Sequence, residues 1–207
     1  MFGKEGNHEK YDHCLTIISI ASCSMNYLAL WSRLFIHVNF EIMERLMITV
    51  YTITSTIKNM DFPSRKLWHV GHGTSQIIIS ANIDTAKTVG KVIPELNGSL
   101  TGTVFCVFIP NMSSINLTYT LKKDDTYGDI KKVLNQALDG PLKDILAYAE
   151  DQVVSCEFNS DTYSSSFDVW TSIALNDNVV KLIYLYENKF DYRNYIMDFM
   201  VHMAYKD

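Results

Sequence analysis

The chain has 207 residues, 47% hydrophobic and 20% charged, with a formal net charge of −5. That balance buries an ordinary core without help from disulfides or metal. No lysine or arginine cluster is long enough for a nucleic-acid footprint, which argues against that partner. The four cysteines, Cys14, Cys23, Cys106 and Cys156, form no C-x-x-C pair and have no histidine at zinc-ligand spacing. They predict reduced thiols and no metal site. Residues 1–10 are polar and charged, so they predict no secretory signal, and the sequons at Asn97, Asn111 and Asn116 then carry no meaning.

In chain order, residues 15–20 are a short β-branched run that predicts a buried strand. Ser22 is a good helix N-cap, and residues 25–36 read as a mostly buried helix. Residues 14–32 carry no formal charge, but Thr16, Ser19, Ser22, Ser24, Asn26 and Ser32 interrupt the run, so no membrane span is predicted. Residues 46–56 read as a strand. Residues 58–74 contain Pro63, Gly71 and Gly73 without a clear period and read as a long loop, of the kind that is usually functional. Residues 85–93 predict a short helix. Residues 101–109 and 113–121 read as two strands joined at Pro110-Asn111. Residues 126–137 and 142–148 read as helices. Residues 167–174 and 179–186 read as strands with a turn at Asn176-Asp177-Asn178, and residues 191–205 as a closing helix. The sum is α+β with a mixed, mostly antiparallel sheet.

Several literal strings go further. Lys91-Val92-Ile93-Pro94-Glu95-Leu96-Asn97-Gly98, Gln152-Val153-Val154-Ser155, Phe158-Asn159-Ser160-Asp161-Thr162, Ile173-Ala174-Leu175-Asn176-Asp177 and Met200-Val201-His202-Met203-Ala204 resemble glyceraldehyde-3-phosphate dehydrogenase, over essentially the whole chain from Asn7. The resemblance implies that family's C-terminal catalytic domain, a mixed sheet with helices on one face. It implies no complete Rossmann domain, since no G-x-G-x-x-G occurs. It divides the chain into a remnant of the last Rossmann strand (1–22), a catalytic domain (23–190, with the family's S-shaped loop at about 58–74) and a C-terminal helix (191–207). It also implies NAD as cofactor, glyceraldehyde 3-phosphate and phosphate as partners, a homo- or hetero-oligomer, and a cytoplasmic location without membrane attachment.

The family reaction uses a cysteine thiolate, a histidine base, NAD and two anion sites. The resemblance places the nucleophile at Cys23, in Ala21-Ser22-Cys23-Ser24-Met25-Asn26. A cysteine at a helix N-terminus suits that task, since the helix dipole favours a thiolate. The base position is Tyr51, in Thr49-Val50-Tyr51-Thr52-Ile53-Thr54, and a phenol with a reference pKa of about 10 is a poor base near pH 7. Ser22, Ser24 and Thr54 keep or resemble the family's phosphate-binding positions. The family arginine in Phe-Arg-Val-Pro is Cys106, and a thiol cannot replace the bidentate guanidinium. The family's Ser-Thr-Gly-Ala is Asn82-Ile83-Asp84-Thr85, so Ile83 and Asp84 stand where an anion should bind. Family arginines are His69 and His72. Asn188 and Tyr192 survive from the family's cofactor contacts.

Trp170 occupies a family glycine position and predicts overpacking, typically ~1–3 kcal/mol. With no Rossmann partner to cover the closing helix, Tyr192, Ile196, Phe199, Met200 and Met203 are expected to be exposed. The departures are His to Tyr, Arg to Cys, Arg to His, Thr to Ile, Gly to Asp and Ser to Asn. Each is reachable by one C-to-T or G-to-A transition, the signature expected of unselected change. The sequence therefore predicts family membership with activity lost: a non-catalytic pseudoenzyme, an oligomer-joining protein, or the product of a decaying gene copy.

Overall fold

The computed structural model describes residues 1–3, 7–37, 42–52, 78–82, 89–122, 127–140, 143, 145–152, 154–159 and 163–206. Among these residues lies a seven-stranded mixed sheet: β1 (Ile42–Thr52), β2 (Ile79–Asn82), β3 (Leu100–Val107), β4 (Ser113–Leu121), β5 (Leu146–Ala149), β6 (Ser165–Ala174) and β7 (Val179–Tyr186). Their order is β2-β3-β1-β4-β7-β6-β5. The β1–β3 and β5–β6 pairs are parallel and the other four antiparallel. Among the described residues three α-helices accompany the sheet: α1 (Cys23–His37), α2 (Tyr127–Asp139) and α3 (Phe190–Lys206). None of the described helices is long and apolar enough to cross a membrane.

One face of the sheet is covered. Along β4 every second residue is buried, from Ser113 through Ile115, Leu117 and Tyr119 to Leu121, while those between are half-exposed. In-register neighbours continue the covered face: Met47 opposite Leu117 on β1, Leu182 on β7. Helix α1 lies on this face because nearly its whole length is apolar. Tyr27, Leu28, Ala29, Leu30 and Trp31 are all buried. Trp31 stacks on Tyr184 with ring centroids 4.0 Å apart, and its indole N–H donates to Ser165 Oγ at 3.1 Å. Helix α2 adds Ile130, Leu134 and Ala137 to the same core, a spacing that puts all three on one side of the helix. Each large side chain fully buried in this way contributes about 1.5–3 kcal/mol.

Close approach fixes the β1–β3 pair. A Cβ on Gly102 would sit 2.6 Å from the Met47 carbonyl oxygen, so only glycine fits opposite Met47. The two strands expected to pair across Pro110-Asn111, β3 and β4, do not. They flank β1, one parallel to it and one antiparallel. The connection crosses the end of β1, and Met112 enters β4 with a left-handed φ of 65°, a conformation few non-glycine residues adopt.

A helix is predicted over residues 142–148, but from Leu146 the chain forms β5, which pairs with β6 from Leu146 opposite Ser165 to Ala149 opposite Asp168. Backbone partners at the sheet edge outweigh a weak local helical pattern. The strand expected over residues 15–20 reduces to one bridge between Phe2 and Ile20. The helix expected over 85–93 reduces, where described, to short 3-10 turns at Val89–Lys91 and Pro94–Leu96. The loop at 58–74 lies outside the described residues.

Two packing expectations are corrected. Trp170 is 61% exposed, so it overpacks nothing. It lies in an irregularity where residues 169–172 of β6 stand opposite Leu182 alone. The Ser172 hydroxyl closes this bulge, donating to the Asp168 carbonyl at 2.6 Å and accepting from the Ile183 N–H at 2.9 Å. Helix α3 is also less exposed than expected. The N-terminal segment covers it: Phe2, Tyr195 and Phe199 form a second buried cluster, flanked by Tyr11, Ile18, Ile20 and Met203. Of the five residues expected to be exposed, Met200 is, while Phe199 is buried and Tyr192, Ile196 and Met203 are half-buried.

Candidate active site

Helix α1 begins at the cysteine itself. Ser22 caps it, its Oγ accepting the Met25 N–H at 3.4 Å, as its residue type predicts. The Asn26 side-chain amide donates to the Ala21 carbonyl at 3.1 Å, fixing the turn into the helix. Cys23 is therefore the first helical residue, half-buried, with its thiol at the sheet.

Across from it, near the end of β1, is Tyr51. The Tyr51 hydroxyl and the Cys23 Sγ are 3.2 Å apart, within hydrogen-bond reach for sulfur. Burial, with the neighbouring Cys23 and Cys106 adding to it, pushes the Tyr51 phenol far above its ordinary value. Cys106 stands in register with Tyr51 on β3 and is half-buried, and burial raises its thiol pKa too. Tyr51, facing Cys23, and Cys106 beside Tyr51 are thus neutral groups near pH 7, and neither supplies a positive charge.

Ser24 is buried, and its Oγ is 2.9 Å from the Tyr186 hydroxyl. Tyr27 stacks near Tyr186, at 4.4 Å between centroids, and donates its hydroxyl to the Glu187 carbonyl at 3.2 Å. The start of α1 is thereby tied to the end of β7, two residues before Asn188. Ser22 is exposed. Asn188 is half-buried, and its Oδ1 is a buried acceptor with no partner among the described residues. Tyr192 is half-buried in the first turns of α3. Thr54, Ile83, Asp84, His69 and His72 lie outside the described residues.

So the fold assembles Cys23, Ser24, Tyr51 and Cys106 from three elements. It adds one residue that sequence reading did not single out, Tyr186. Its position two residues before Asn188, which the resemblance marks as a cofactor contact, was the available signal. Its hydroxyl, wholly buried, is also pushed well above its ordinary pKa by burial, then by Cys23. The arrangement can hold a thiol against two neutral phenols. Among the described residues it offers that thiol no base that works near neutral pH and no cation.

A family model described as glyceraldehyde 3-phosphate dehydrogenase, C-terminal domain, matches residues 22–188. The chain is 54% identical over all 207 residues to the muscle glyceraldehyde-3-phosphate dehydrogenase of Jaculus orientalis, covering 57% of that protein. It is 54% identical to glyceraldehyde-3-phosphate dehydrogenase of Danio rerio, covering 62%, and 53% identical to glyceraldehyde-3-phosphate dehydrogenase 3.1 of Caenorhabditis briggsae, covering 60%; both matches run over the whole of this chain. The chain spans about three fifths of the length of these relatives. With a mixed α+β sheet, helices on its covered face and a cysteine opening α1, the chain belongs to the glyceraldehyde-3-phosphate dehydrogenase C-terminal domain family.

Proposed function

We propose that this chain is a glyceraldehyde-3-phosphate dehydrogenase-like protein that keeps the family's nucleophile at Cys23 but does not turn substrate over. The family reaction is a phosphorylating oxidation of glyceraldehyde 3-phosphate in glycolysis. It passes through a thiohemiacetal and then a thioester on the cysteine. The observation that carries our reading is the 3.2 Å contact between Cys23 Sγ and a Tyr51 hydroxyl whose pKa is raised by burial. A neutral phenol cannot take the thiol proton near pH 7, nor form the thiolate–imidazolium pair that activates such cysteines. Losing a general base costs about 10²–10⁴ in rate.

Anion binding is compromised in the same way. A half-buried neutral thiol at Cys106 stands where the family places an arginine, and it gives phosphate neither charge nor a forked donor. In this reading Ser22, Ser24 and Thr54 are retained phosphate-site positions, and Ile83 and Asp84 lost ones.

NAD is the family's cofactor, and when bound it supplies the hydride acceptor. Asn188 Oδ1, a buried acceptor without a partner among the described residues, fits one amide N–H, and Tyr192 follows four residues on, in the first turn of α3. The described residues offer no phosphate cradle beside them. A lone amide acceptor does not hold a dinucleotide.

A second reading, an oligomer-joining role, has its own support. On the face of the sheet opposite α1, Leu46 and Val50 of β1 and Ile173 of β6 are exposed, and Leu46 and Ile173 share a row through Thr118 and Lys181. Turnover by the pure protein with NAD, phosphate and glyceraldehyde 3-phosphate tests the first reading. Sedimentation with and without an intact family enzyme tests the second, which requires a mixed oligomer.

A further inference from the structure

Away from Cys23, the turn after Tyr11 gathers three ligand-type side chains. Asp12, His13 and Cys14 are exposed, and their carboxylate oxygen, imidazole nitrogen and sulfur lie within 4.8 Å of one another. Consecutive side chains usually diverge. Here the chain folds back through a tight turn, the Leu15 N–H donating to the Asp12 carbonyl at 3.1 Å. The Cys14 N–H also donates to Asp12 Oδ1 at 2.9 Å.

We propose that the Asp12-His13-Cys14 turn is a surface site for a borderline-soft divalent transition metal ion, with Zn²⁺ the best match. The ion would be held by one carboxylate oxygen, one imidazole nitrogen and one thiolate sulfur, with a fourth position open to solvent. The donor set decides the class. Calcium and magnesium take oxygen ligands, whereas imidazole and thiolate together select zinc and its neighbours.

Geometry allows it. Zinc bonds of about 2.0–2.3 Å set the ligand–ligand edges of a tetrahedron at about 3.3–3.8 Å. The His13 Nδ1–Asp12 Oδ1 separation is already 3.7 Å. Closing the widest gap, at most 4.8 Å, takes about an ångström of movement by exposed side chains. Asp12 Oδ1 has two lone-pair sites, so it keeps the Cys14 amide on one while it binds the ion with the other. Binding releases the Cys14 thiol proton to solvent, and nothing is oxidised or reduced.

The site adjoins a structural contact. The ring of Tyr11 packs edge-on against Phe2 and Phe199, at 6.1 and 6.0 Å between centroids. An ion bound at residues 12–14 would therefore sit next to the contact between the N-terminal segment and α3. Zinc patterns in sequence are spaced repeats, so three adjacent residues brought together by a turn go unnoticed there.

The test uses the full chain with Co²⁺ as a spectroscopic probe and Zn²⁺ as competitor. One equivalent of Co²⁺ should give thiolate-to-cobalt charge-transfer absorption that Zn²⁺ abolishes. Cys14→Ser should remove it. His13→Asn should weaken binding by at least about tenfold, and Cys156→Ser should leave it unchanged. All three positions are solvent-accessible, so circular dichroism should show the variants folded. Absence of the band at millimolar Co²⁺, or a band that survives Cys14→Ser, overturns the proposal.

Discussion

Replacing Tyr51 with histidine should make Cys23 react faster near neutral pH, by a bounded amount. In the structure the thiol faces a neutral phenol at 3.2 Å. Imidazole is shorter than phenol, so histidine on the same backbone would leave its outer nitrogen about 5 Å from the sulfur. At an effective dielectric of about 20, opposite charges at that distance attract by about 3 kcal/mol, or roughly two pKa units. The gain in rate is smaller than that energy suggests. An ordinary cysteine has a few per cent thiolate at pH 7, so full ionisation adds at most about thirtyfold. Nucleophilicity falls as thiol pKa falls, with a Brønsted slope of about 0.4–0.5, which removes much of the gain. The net expectation is about three- to tenfold faster alkylation by iodoacetamide at pH 7. It is read by mass spectrometry on the Cys23 peptide, with the fold of Tyr51→His checked by circular dichroism. Fast, pH-independent labelling below pH 7 in the unmodified protein would mean that another group activates the thiol, and the reasoning fails.

Three further expectations concern the fold. Arg45 points into the covered face, 7% exposed, with burial lowering its pKa; its Nη1 donates to Ser99 Oγ at 2.6 Å and its Nε has no partner among the described residues. Arg45→Met gives up a charged hydrogen bond worth about 1.5–3 kcal/mol but removes a desolvation cost of several. It should therefore raise stability by about 1–2 kcal/mol in urea unfolding; a loss would show that the charge is better paired than its contacts indicate. Gly102→Ala should cost about 1–3 kcal/mol in the same assay, because its Cβ meets the Met47 carbonyl; a neutral result would mean that β1 and β3 separate easily. Burial raises the phenol pKa of Tyr51, Tyr119, Tyr184 and Tyr186. Folded values above the unfolded value of about 10 stabilise the fold below that pH, and the contribution is lost as pH rises beyond it. These tyrosines should form phenolate only together with unfolding, followed by absorbance and circular dichroism; phenolate forming in all twelve tyrosines before any loss of structure would contradict it.

What the sequence revealed and what it concealed divide along physical lines. Helix α1 was legible because its cap, its apolar run and its family string agree, and β4 and β7 because their patterns are strongly β-like. The β5 strand was not, because pairing at a sheet edge depends on a partner far along the chain. The placement of β1 between β3 and β4 was hidden for the same reason, since a short connection suggests a hairpin. Trp170 looked like overpacking because local sequence does not show that the bulge at Asp168–Ile173 turns it outward. Literal strings marked Cys23, Tyr51 and Cys106, and the fold brings these three together. It also adds the Ser24–Tyr186 contact, which joins residues 162 apart and leaves no local trace. Arg45 was missed altogether, because a charge on a strand gives no sign of which face it occupies until the register is known.

The most direct test of the central claim is turnover by the purified, unmodified chain, with NAD, phosphate and glyceraldehyde 3-phosphate at saturating concentrations. NADH is followed by absorbance, and Cys23→Ser serves as the blank. A thiol facing neutral Tyr51 and Cys106 should give no NADH above that blank. NADH production that disappears in Cys23→Ser would contradict the account, because it would show that Cys23 completes the family's chemistry without the base and the arginine.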